Sequence, residues 1–138
     1  MAYYTSAEKT ALNRAMKANQ DPQLGTQLEN VYPQETEQLL VADGAITVKN
    51  GVCKIAKTVA GVVAATLADP TDVTDDYKRL IIINFQAQAN TVTSASSFGG
   101  GGSGKDVATF GAAIGNTLEL MALGGKWYVL GNYGVTLA

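Results

Sequence analysis

The stretch Leu118-Glu119-Leu120-Met121-Ala122-Leu123-Gly124-Gly125-Lys126-Trp127-Tyr128-Val129-Leu130-Gly131 decides the fold class. Two apolar-rich runs flank a Gly-Gly pair, the pattern of a two-residue β-hairpin. Such a loop pairs Leu123 with Lys126, Ala122 with Trp127, Leu120 with Val129 and Leu118 with Gly131. In that register Leu118, Leu120, Ala122, Trp127 and Val129 share one wholly apolar face. Glu119, Met121, Lys126 and Tyr128 share the other. A slip by one residue would mix the two sets, so one face belongs to a core and the register is well specified. Trp127 is therefore read as a core residue, with a sugar-stacking platform as the alternative.

Similar punctuation runs from Ala42 to the end. Short β-type runs, separated by Gly, Asn, Asp or Pro, are expected at Ala45–Lys49, Val52–Lys57, Ala64–Leu67, Arg79–Phe85, Thr91–Thr93, Val107–Phe110, Leu118–Leu123, Lys126–Gly131 and Val135–Leu137. No long helical period interrupts them, which predicts a mainly β domain: a small antiparallel β-sandwich or barrel, jelly-roll-like. Asn50-Gly51, a strong two-residue turn signal, is expected to join the first two runs as a hairpin. Leu80-Ile81-Ile82-Ile83 does not alternate, so both faces of that strand should be covered, by another subunit or by the chain's own N-terminal arm.

Residues 1–43 differ from this β domain, 44–138. They carry six acids against three bases and two of the three prolines. Thr5-Ser6-Ala7-Glu8 reads as a capping box opening a helix from Ser6 to about Asn19, stopped by Asn19-Gln20-Asp21-Pro22. Of its apolar residues only Leu12 and Met16 are bulky, and burying both contributes about 4 kcal/mol. A helix of that length is marginal alone and needs a neighbour. Gln23 to Leu40 reads as an extended polar connector, so the segment is expected to be an arm.

The 138 residues include 16% charged residues, a net charge of −2 and no His. Folding such a chain removes about two thirds of its surface from water, enough for one core. The charge balance provides no basic field for nucleic acid. Without His, the commonest general base and metal ligand are missing, as are Ser-His and Cys-His pairs. No catalytic, cofactor-binding or metal-binding residues are assigned, and the chain is expected not to be an enzyme. Cys53, the single cysteine, shares parity with Ile55 and is expected to be a small buried residue. The opening Met-Ala-Tyr-Tyr-Thr-Ser lacks the features of a signal peptide. The longest apolar stretch, Val59 to Ala68, is half of a membrane span, so no membrane partner is expected.

Two motifs tempt a sharper reading. Gly99 to Gly104 followed by Lys105 nearly matches a phosphate-binding loop, but Asp106 stands where a hydroxyl is required and a strand rather than a helix should follow. A flexible surface loop accounts for it. Asp69, Asp72, Asp75 and Asp76 cluster around Pro70, and these are ordinary turn formers. Ca²⁺ requires six to eight oxygens, and a bound cation stays open.

Thr66-Leu67-Ala68-Asp69-Pro70, Thr91-Val92-Thr93, the Gly-rich loop ending Lys105-Asp106-Val107-Ala108-Thr109-Phe110, and Gly125-Lys126-Trp127-Tyr128-Val129 together resemble a pattern of small bacteriophage structural proteins. With its polar arm the chain resembles a head-decoration (cement) protein. That resemblance implies a homotrimer on the outer surface of an icosahedral virion, bound to the major capsid protein and bridging neighbouring capsomers after synthesis in the host cytoplasm. The arm residues expected at the capsid or subunit interface are Tyr3, Tyr4, Leu12, Met16 and Tyr32, because Tyr is favoured at interfaces. The alternative is a receptor- or carbohydrate-binding module of a tail fibre or tailspike, using Tyr128, Tyr133 and Phe98 around the Gly-rich loop.

Overall fold

The computed structural model describes residues 6–10, 36–99 and 105–138. The chain divides into two units, Met1–Gln34 and Glu35–Ala138. In the first, residues 6–10 are helical, and the Thr10 hydroxyl donates to the Ser6 carbonyl at 3.0 Å. The remainder of the expected helix, with Tyr3, Tyr4, Leu12, Met16 and Tyr32, lies outside the described residues.

The second unit consists of ten strands: β1 (Thr36–Leu40), β2 (Gly44–Ile46), β3 (Gly51–Ile55), β4 (Ala64–Leu67), β5 (Arg79–Asn84), β6 (Thr91–Ser94), β7 (Val107–Phe110), β8 (Thr117–Leu123), β9 (Lys126–Tyr133) and β10 (Val135–Leu137). They form two five-stranded sheets, ordered β1-β3-β5-β8-β9 and β10-β7-β6-β4-β2. The sheets pack face to face as a sandwich, not a closed barrel. Every β run expected from Ala45 onward is present.

The sheets are mixed, where antiparallel ones were expected. The first six strands alternate between the two sheets, so β1, β3 and β5 pair in parallel, as do β2, β4 and β6. The remaining pairs, β5–β8, β8–β9, β6–β7 and β7–β10, are antiparallel. Asn50-Gly51 accordingly makes no hairpin, because residues 47–50 carry the chain from one sheet to the other. Both carbonyls of Asn50 serve as anchors. Its backbone oxygen accepts from the Thr36 amide at 2.8 Å, and its Oδ1 accepts from the Arg79 amide at 2.9 Å. Gly51 is required beside them: at φ 139° it lies so close to β1 that a Cβ would sit 2.1 Å from the Thr36 oxygen.

β1 corrects the expected connector, since its last five residues are a sheet edge and Leu40 is buried. Gln38 secures that edge by using its side-chain amide as a strand would use its backbone. Its Oε1 accepts from the Thr47 amide and hydroxyl, and its Nε2 donates to the Thr47 carbonyl.

The β8–β9 hairpin has the expected register next to its turn, where Gly124 and Gly125 take φ of 59° and 76°. An irregularity between Glu119 and Leu120 then adds Leu130 to β9, so Leu118 faces Asn132 rather than Gly131. Leu118, Leu120, Ala122 and Trp127 are fully buried, and Trp127 Nε1 donates to the Ala68 carbonyl at 2.8 Å. In β5, at the centre of its sheet, Leu80 and Ile82 are buried, while Ile81 and Ile83 are half-buried on the outer face. Cys53 is buried as expected, and burial pushes its thiol up to about 11.

Candidate interaction surfaces at the two ends of the sandwich

Strand directions place the connections of the sandwich at two ends. One end gathers residues 41–43, 56–63, 85–90 and 111–116 together with Gly134. The other gathers residues 47–50, 68–78, 95–99, 105–106 and the Gly124-Gly125 turn. The two ends are built from different chemistry.

At the first end, buried amides tie the loops together. Asn84 and Asn90 are fully buried at the ends of β5 and of the loop before β6. Asn84 Nδ2 lies 3.1 Å from the Gln88 carbonyl and 3.1 Å from that of Ala113, and its Oδ1 accepts from Asn90 Nδ2 at 2.7 Å. Asn90 Oδ1 in turn accepts from the Val63 amide and from Gln86 Nε2, each at 2.7 Å. Asn116 donates to the Gly111 carbonyl at 2.9 Å. Gly134, at φ 66°, lies against this amide so closely that a Cβ would meet Asn116 Oδ1 at 2.3 Å. Buried polar groups are expensive unless paired, and here Asn84 and Asn90 join groups of different loops while Asn116 closes its own. The network thus fixes the shape of this end.

What these loops present outward is apolar. Val59 is 69% exposed, Ile114 68% and Phe85 45%, with Val41 and Val62 also exposed. The only charged residues in these loops are Asp43 and Lys57. Asp43 is already engaged, because its carboxylate accepts from the Ala64 amide at 2.8 Å.

The opposite end carries five aspartates and three lysines in its connections. Three of the four clustered carboxylates accept from backbone amides, Asp75 within its own turn and Asp69 and Asp76 across to other connections. Asp69 accepts from the Ser96 amide and hydroxyl, Asp75 from the Thr71 amide at 2.7 Å, and Asp76 from the Gly124 amide at 2.9 Å. Asp75 also pairs with Lys78 at 2.6 Å, and that hydrogen bond is the main cause holding its carboxyl below the ordinary value. Among the described residues, no group of three or more His, Cys, Asp and Glu side chains could hold a metal ion. Val73 and Tyr77 project from the same loop, 80% and 74% exposed, at φ of 66° and 69°. A β-branched residue in that region is strained.

The Gly-rich segment begins at this end. The Phe98 amide donates to the Lys105 carbonyl at 2.8 Å, and the chain after Lys105 continues as β7, a strand and not the helix that a phosphate loop opens. Gly99 pairs alongside Tyr128 and lies on its ring, where a Cβ would sit 2.7 Å from the ring carbons. Phe98 is 1% exposed, which corrects the expectation that it belongs to an exposed aromatic set. Tyr133 lies near the other end, opposite Thr117, so Tyr128 and Tyr133 do not form one platform.

The chain matches no protein-family model and no curated protein. The functional reading therefore rests on the residues. The buried amide network was missed at sequence level, although Asn84, Asn90 and Asn116 each follow or precede an apolar run at a strand end. Polar residues in such places read as turn formers, and nothing local distinguishes a turn from a shared buried anchor.

Proposed function

We propose that the chain is a structural virion protein that decorates and stabilises an icosahedral phage capsid by bridging neighbouring capsomers. The observation that carries this reading is a β body whose loops at one end are tied by a buried amide network and expose Val41, Val59, Val62, Phe85 and Ile114. Such a body is suited to lending surface. In this reading it works as a homotrimer bound to the major capsid protein, outside the head and without catalysis. A capsid under internal pressure fails where capsomers part, and three linked weak contacts across that seam hold far better than one. The resemblance of the β segments to small bacteriophage structural proteins, and of the whole chain with its arm to head-decoration proteins, supports the same reading.

Antibody-gold labelling of particles from the phage that encodes the chain tests it. Label distributed over heads supports the proposal, and label confined to tails, or absent from particles, overturns it. Light scattering of the purified protein should give three times the 14.4 kDa chain mass.

A further inference from the structure

We infer that the Asn50-Gly51 crossing is a site of spontaneous backbone modification, closed while β1 and β5 hold β3 and opened when the β1 edge leaves the sheet. The reaction converts Asn50 to aspartate or isoaspartate and releases ammonia. It is independent of the proposed function. The sequence supplies the reactive pair, since Asn50 is the one asparagine of eight that precedes a glycine. Glycine has no Cβ to hinder its nitrogen, so in an open chain the Gly51 nitrogen readily reaches the Asn50 side chain. That nitrogen gives up its proton to hydroxide and attacks Asn50 Cγ. The new C–N bond closes a five-membered imide, and the side-chain nitrogen takes a proton from water and leaves as ammonia. Water then opens the ring at either carbonyl. Opening at Cγ leaves aspartate, and opening at the α-carbonyl leaves isoaspartate, whose main chain runs through Cβ and Cγ. Nothing is oxidised or reduced, and the one co-reactant is water.

The fold closes this site by hydrogen bonding and not by excluding water, for Asn50 and Gly51 are only half-buried. Asn50 Oδ1 accepts from the Arg79 amide at 2.9 Å. Its backbone oxygen accepts from the Thr36 amide at 2.8 Å and from the Thr36 hydroxyl at 3.1 Å. Gly51 stands between Thr36 and Leu80 in the two parallel ladders. Ring closure has to turn the Asn50 side chain off the Arg79 amide and the Gly51 nitrogen towards Cγ, so the ladders must open first. β1 is the outermost strand, and its departure removes both bonds to the Asn50 oxygen and leaves Gly51 held on one side only. Gln38 guards that route through its three bonds to Thr47. Once isoaspartate has formed, the edge cannot close again. The chain is then longer by one backbone atom, at a place where even a Cβ on Gly51 would sit 2.1 Å from the Thr36 oxygen. The site therefore turns a transient loss of the β1 edge into a permanent one.

The test holds the full chain at pH 8, folded or in unfolding urea, and follows position 50 by peptide mapping that separates the Asn, Asp and isoAsp forms. In urea Asn50 should convert before any other asparagine. In the folded chain its conversion should be about 100-fold slower, because only the opened fraction reacts. Gln38→Ala, which frees the edge, should speed the folded-state reaction about tenfold and leave the rate in urea unchanged. Thr36→Val, which removes one bond to the Asn50 oxygen, should speed it less, and it serves as the second variant. The near-ultraviolet signal of buried Trp127 verifies that each variant is folded. Hydrogen exchange then reads the consequence. The isoaspartate form, isolated by ion exchange, should lose protection at the Thr36–Leu40 amides, whereas Asn50→Asp should keep it. Equal rates folded and in urea overturn the inference, as does faster conversion of another asparagine in urea. Folded-state rates unchanged in both variants overturn it as well, and so does an isoaspartate form with wild-type protection of the β1 amides.

Discussion

The two ends of this sandwich solve the same problem with opposite means. Each must return the chain between sheets and satisfy the backbone groups that leave the strands. One end does so with buried amides, Asn84, Asn90 and Asn116, which bind loops from inside and leave the outside to Val59, Phe85 and Ile114. The other does so with surface carboxylates, Asp69, Asp75 and Asp76, each accepting from a backbone amide within reach of water. A neutral amide can be buried because it both donates and accepts, whereas a buried carboxylate needs a counter-charge. The two ends thus differ in their anchors, while both leave apolar side chains outside, Val73 and Tyr77 at the carboxylate end.

The largest expected effect comes from breaking the buried anchor. Asn84→Ala should destabilise the β body by about 4 kcal/mol, since it leaves the Asn90 amide and several loop carbonyls unpaired in the interior. Urea unfolding measures it, and a loss no greater than that at the acidic end would erase the contrast. Cys53, in β3 between the two ends, provides a reference for the core. Its raised value means that stability is fully present below about pH 9 and is lost as pH rises towards 11, by up to about 3 kcal/mol. Cys53→Ala should lack this alkaline increment, as read from melting curves at pH 8 and 10.5. In the wild type at pH 8, iodoacetamide should label Cys53 only after unfolding, and Asn84→Ala should speed that labelling.

At the acidic end the effects are smaller, and one has the opposite sign. Val73→Gly should stabilise by about 1 kcal/mol, because Gly adopts φ of 66° without the strain a β-branched residue meets. The gain is net of the greater freedom that Gly adds to the unfolded chain, and thermal melting measures it. Asp75→Asn should cost about 1 kcal/mol, since solvent reaches the Lys78 end of the pair and screens it although the Asp75 side chain is largely covered. The depressed Asp75 value means that its contribution is present above the ordinary carboxyl value and is lost as pH falls below it. The Asp75→Asn difference should accordingly shrink on acid titration. A large, pH-independent loss would show that this loop is as deeply built in as the amide end.

Much of this body was legible in the chain. The register beside Gly124-Gly125 followed from an apolar face that only one alignment preserves, and the runs at Ala64–Leu67, Val107–Phe110 and Val135–Leu137 have the expected limits. β1 was not legible, because in Thr36-Glu37-Gln38-Leu39-Leu40 only Leu40 is buried and its partner, β3, lies beyond another strand. The candidate surface was less legible still. Val41, Val59, Phe85 and Ile114 lie up to 73 residues apart, and only strand direction brings their loops to one end.

By itself, then, the sequence determined that a β body would form, where its strands would lie, and that Trp127 and Cys53 would be inside, since alternation and turn chemistry are local properties. Tertiary structure alone decided that successive strands alternate between sheets, that Asn50-Gly51 is a crossing and not a hairpin, and that three distant asparagines share one buried network. Those outcomes depend on parallel pairing between segments distant in the chain, whose energy arises only when both sheets close on a common core.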